Sequence, residues 1–85
     1  MRTYKGPTPD AFNSAVPVGT DVRYYKRLPA DEDNFVRDVT ASPAWDAYGR
    51  TVVMLHETSG CVDAGHLVVR NPSRPVPGLL GWWND

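Results

Sequence analysis

The chain has 85 residues, enough for one domain with a modest core. Hydrophobic residues make up 41% of it but are dispersed, and no run approaches the ~20 apolar residues of a membrane-spanning helix. The formal net charge of −1 lacks the basic excess of a generic nucleic-acid binder.

In chain order, residues 1–19 carry Gly6, Pro7, Pro9, Pro17 and Gly19. That density disfavours helix and central strand and predicts an extended arm, with Pro9 to Phe12 able to start one helical turn at most. The opening residues show no apolar stretch of the kind that marks a secretory signal. Thr20 to Arg27 is the first predicted strand, with Val22 and Tyr24 on one face and Arg23 and Tyr25 on the other. Leu28 to Asn34 follows as a polar loop whose acidic run, Asp31-Glu32-Asp33, reads as solvated because calcium loops space their ligands differently. Asn34 to Ala41 is a second strand, and Ser42 to Arg50 a loop holding Trp45 and Tyr48.

Thr51 to Glu57 is a third strand, apolar on both faces through Val52, Val53, Met54 and Leu55, so both faces need cover. Ser59-Gly60 supplies a tight turn, and Cys61 to Asp63 continues the sheet. Ala64-Gly65-His66 reads as one helical turn and Leu67 to Val69 as the closing strand. The expected core is Val22, Tyr24, Val53, Leu55, Val62, Leu67 and Val69. From Asn71 to Gly78 the prolines predict a semi-rigid extended spacer, ending in Leu79, Leu80, Trp82 and Trp83.

The pattern Gly60-x-Val62-Asp63-x-x-x-Leu67-Val68-Val69 resembles the end of SH3-like domains, where a 3₁₀ turn leads into the last strand. Gly19 to Tyr24 is similar to the entry strand of small Tudor and KOW barrels. The span from Gly19 to Val69 also resembles small proteins of actinobacteria and their phages. An arginine-rich basic complement, with lysine only at Lys5 and Lys26 and no isoleucine or glutamine, fits GC-rich genomes of that kind. The resemblance implies an all-β fold, an SH3-like barrel of about five strands over residues 20–70. Extended arms would flank it at 1–19 and 71–85. The ALYDY-type motif of peptide-binding SH3 domains is not matched, so no proline-peptide groove is implied.

Four residues invite a catalytic or metal reading. A two-residue turn at Ser59-Gly60 would set His56 across from Asp63, a surface pair of little energetic weight. Cys61 beside a histidine is the raw material of a thiol dyad, but no oxyanion site or pocket accompanies it. His56, Cys61 and His66 have an H-x₄-C-x₄-H spacing that matches no common zinc pattern. Cys61 therefore reads as a small hydrophobe and His66 as a cap on the helical turn. No enzyme activity, metal or cofactor is expected, and the single thiol fits a reducing compartment.

Two binding surfaces remain. Tyr24, Tyr25, Trp45 and Tyr48, with Arg23, Lys26, Arg27 and Arg37, form a possible ligand face for stacked bases or a host protein. Nucleic acid is the less expected ligand, given the opposing acidic loop. Leu79, Leu80, Trp82 and Trp83 read as an anchor that docks on a protein partner or covers the Val52/Met54 face of its own barrel. The expectation is a non-enzymatic interaction module, with arms clamping it into a larger assembly and a homo-oligomer as one form. A capsid-decorating component of a virion fits those arms, and a regulator in the host cytoplasm is the alternative.

Overall fold

The computed structural model describes residues 5–27 and 34–85; the acidic run at Asp31 to Asp33 lies outside them. The fold is mostly strand, in two sheets, with one short helix. Among the described residues no helix is long and apolar enough to cross a membrane.

The N-terminal segment departs from the expected extended arm. It folds into helix α1, Pro9–Ala15, capped by the Thr8 hydroxyl, which accepts from the Ala11 N–H at 3.2 Å. Pro9 starts this helix rather than breaking it, because its missing N–H falls where no intrahelical acceptor exists. Phe12, Ala15 and Val16 are thereby driven into the core, Phe12 at 1% exposure.

Strands β1 (Asp21–Tyr24), β2 (Val36–Val39), β3 (Trp45–Ala47), β4 (Arg50–Met54) and β5 (Cys61–Asp63) follow. A 3₁₀ turn, Ala64–His66, leads into β6 (Leu67–Arg70), and β7 (Gly81–Trp83) is the last element. One sheet has the order β2-β1-β6-β7, the other β3-β4-β5. All pairings are antiparallel except β6 with β7. An isolated bridge, Thr40 to Leu55, ties the end of β2 to the end of β4 and so links the sheets. The inner faces meet in one cluster that includes Val22, Val53, Leu55, Val62, Leu67 and Val69, with Tyr24 packed against its edge.

The region read as a Trp45/Tyr48 loop is a β-hairpin. Ala47 pairs with Arg50, leaving Tyr48 (φ 54°) and Gly49 (φ 84°) as its two turn residues. Positive φ at both is the type I′ geometry that suits strand twist. The next turn is wider than Ser59-Gly60 alone, because Met54 pairs with Cys61. Asp63 consequently faces Val52, not His56.

The C-terminal segment is also built in. Val76 is 1% exposed within the core, and Leu79 packs against it. The Ser73 N–H donates to the Ala15 carbonyl at 3.0 Å, fastening this segment to the end of α1. The two termini cross where Gly78 lies against the Gly6–Pro7 backbone; a Cβ on Gly78 would stand 2.3 Å from the Gly6 carbonyl carbon. Beyond the crossing, β7 pairs with β6, so Trp82 and Trp83 lie in the opposite sheet from Val52 and Met54.

Candidate interaction face

Strand alternation decides which side chains share the outer face of the four-stranded sheet. Val22 and Leu67 turn inward, so Arg23 and Val68, paired in register, turn outward. Arg37 lies directly opposite Arg23 on β2, and Trp83 is in register with Arg70 on β7. The result is a groove of about 440 Å³ whose lining includes Arg23, Arg37, Arg70, Trp83, Asp21 and Asp85.

Its geometry is partly fixed. The Arg23 guanidinium carbon lies 4.6 Å from the Trp83 ring centroid and 5.2 Å from that of Phe35. Phe35 in turn packs on Tyr25 at 5.3 Å between centroids. Arg70 donates to Asp85 through Nε and to Asp21 through an Nη, both at 2.8 Å. The Asn71 amide and the Asp85 backbone N–H close a reciprocal pair at 3.0 Å each way. These bonds fix the chain end; the Arg70 hydrogen bond holds the Asp85 carboxyl below its usual pKa, and the same partners raise that of Arg70.

Asp38 sits at the edge of this groove and of a second, about 450 Å³, that includes His56 and Glu57 in its lining. It is buried, and burial alone would raise its pKa. The Glu57 N–H (3.0 Å), the Thr58 hydroxyl (2.7 Å) and the Val39 N–H (2.7 Å) outweigh that and, with the field of His56, lower it. Asp38 is therefore a structural carboxylate that closes the β4–β5 loop onto β2.

The expected ligand face does not assemble. Tyr24 and Tyr25 lie on opposite sides of β1: Tyr24 packs inward with its pKa raised by burial and by Asp63, while Tyr25 is covered outside. Trp45, 41% exposed, and Tyr48, fully exposed at its turn, belong to the other sheet. The Leu79/Leu80/Trp82/Trp83 anchor is divided too. Leu79 packs on the core and Trp83 on Arg23, while Leu80 and Trp82 stay exposed. Val52 is buried and Met54 exposed on the outer side of β4. What the sequence reading missed is the pairing of Trp83 with Arg23, which depends on a parallel strand partner that no local pattern announces.

The catalytic candidates separate as well. Asp63 pairs with Arg50 at 2.7 Å and accepts from the Gly65 N–H at 2.8 Å, so Asp63 rather than His66 caps the 3₁₀ turn. His66 Nδ1 instead lies 2.9 Å from the Tyr25 carbonyl. Cys61 is exposed, not packed as a small hydrophobe. Among the described residues no group of three or more His, Cys, Asp or Glu side chains is placed to hold a metal ion. No family model, curated protein or solved structure matches this chain.

Proposed function

We propose that the chain is a non-enzymatic protein-interaction module on an SH3-like barrel, docking a partner through the outer face of its four-stranded sheet. The observation that carries this is the Arg23 guanidinium held between the Phe35 and Trp83 rings beside an open groove. Arginine and tryptophan dominate the residues that carry binding energy at protein interfaces, and stacking prepays the ordering of the long Arg side chain. Three carboxylates, Asp21, Asp38 and Asp85, line the same groove as the three arginines. That mixture favours a polypeptide over the continuous negative charge of a nucleic acid.

Strand order supports the barrel reading. β1 pairs with both β2 and β6, β3-β4-β5 form a meander, and a 3₁₀ turn precedes β6. The Thr40–Leu55 bridge joins the end of β2 to the strand that β3 also pairs with, as a barrel's bent sheet requires. A capsid-decorating component, the role that extended arms suggested, would attach through this sheet face, because both terminal segments contribute to the core.

A random-peptide display selection against the full chain tests this reading. Enriched peptides should bind the wild type and lose at least ten-fold in affinity to Arg37→Glu, with Trp45→Ser as an unaffected control. Peptides lost to Trp45→Ser alone would move the interface to the other sheet. A selection without enrichment, paired with tight binding of a single-stranded oligonucleotide, would replace a protein partner by a nucleic acid.

A further inference from the structure

The outer sheet face contains an electrostatic conflict. Arg23 and Arg37 are direct cross-strand partners in the β1–β2 ladder, and both line the groove. Opposite residues in an antiparallel pair place their Cβ atoms about 4.5–5.5 Å apart, and like charges there repel. The neighbouring arginine shows how such charge is ordinarily settled: Arg70 holds two carboxylates, Asp21 and Asp85. Among the described residues no ion pair joins Arg23 or Arg37 to an acid. Among those residues Arg23 meets the Phe35 and Trp83 rings, and Arg37 is exposed.

We infer that Arg23 and Arg37 form a receptor for one carboxylate of a partner polypeptide, an Asp or Glu side chain seated between the two guanidinium groups and flanked by the Trp83 ring. This deepens the interaction reading above and rests on it. Guanidinium forks match a carboxylate bidentately, and such charge-assisted bonds are the strong ones. Contact with the Phe35 and Trp83 rings places the Arg23 guanidinium in advance, which lowers the side-chain entropy lost on binding. Asp21 and Asp85, already spent on Arg70, bound the groove with negative charge. Their charge, with that of Asp38, disfavours a run of carboxylates, which separates this site from a general polyanion surface. The ligand chemistry is an extended segment with one acidic residue and an apolar neighbour to lie on Trp83.

The full chain is titrated with two blocked peptides, Ac-Leu-Glu-Ala-NH₂ and its neutral counterpart Ac-Leu-Gln-Ala-NH₂, while the Nε–H signals of Arg23, Arg37 and the exposed Arg74 are followed by NMR. The acidic peptide should move the Arg23 and Arg37 signals saturably and bind at least five-fold tighter than the neutral one, with Arg74 unmoved. Arg37→Gln should erase that difference and, by ending the like-charge contact, leave the melting temperature unchanged or higher. Equal responses to the two peptides, shifts at Arg74 as large as at Arg23 and Arg37, or a lower melting temperature in Arg37→Gln would each overturn the inference. The display selection keeps the two claims apart: face-dependent peptides without an enriched acidic position would sink the carboxylate receptor and leave the interaction module standing.

Discussion

Thr40 shows how single residues hold this small fold together. At 1% exposure its hydroxyl accepts from the Gly19 and Thr20 N–H groups, both at 3.0 Å, and donates to the Pro17 carbonyl. One side chain thus satisfies the turn that leads from α1 into β1 at the point where the two sheets join. Gly78 acts by having no side chain at all. Gly78→Ala adds a Cβ against the Gly6–Pro7 backbone at a φ of +96°, and the conformation alone costs roughly 1–3 kcal/mol before the clash is counted. Thermal melting should show a large loss, whereas Gly60→Ala, with open space around it, should show a smaller one. Asp38 sets the response to acid. Its folded pKa is lowered, so it adds stability above the ordinary carboxylate pKa, and that stability is lost as pH falls through the folded value. Asp38→Asn should therefore be less stable at neutral pH and should flatten the decline of melting temperature as pH falls below about 4. An unchanged acid slope would show that other carboxylates carry it.

At the scale of elements, the sequence was legible where local pattern and final environment agree. The alternation in Thr20 to Arg27 correctly sends Val22 inward and Arg23 outward, and the Gly60-to-Val69 pattern anticipates β5, the 3₁₀ turn and β6. Leu55, at 3% exposure in the bridge between the sheets, belongs to this legible core, and Leu55→Ala should cost about 2–5 kcal/mol by denaturant titration. Proline was the main source of error. Pro7 and Pro9 read as marks of an arm, yet Pro9 opens α1 and Pro7 is among the fully buried residues. Tyr48-Gly49 was missed because a tyrosine at positive φ is a rare turn residue, so the hairpin lacked its usual Asn-Gly signal. The candidate face was legible only in part: Arg23 and Arg37 were among four basic residues assigned to a ligand face with Lys26 and Arg27, but Trp83 joins them through a parallel pairing set by the path of residues 71–80. That path is determined by tertiary packing of Val76 and Leu79, which composition does not encode locally.

At the scale of the whole molecule, the two terminal segments are structural. The first supplies Phe12, Ala15 and Val16 to the core, and the second supplies Val76 and the β7 edge that carries Trp83. A domain of this size buries a limited share of its surface, so losing either contribution is a large fraction of its stability. The interaction face inherits this dependence, because Trp83 and Asp85 belong to the last five residues. The most direct measurement is the thermal unfolding of the chain ended at Arg70, followed by circular dichroism beside the full chain. No cooperative transition is expected, or one lowered by more than about 10 °C, as removal of a few kcal/mol implies for a domain of this size. A truncated chain that melts cooperatively within a few degrees of the full one would contradict it and restore the C-terminal segment as a free arm.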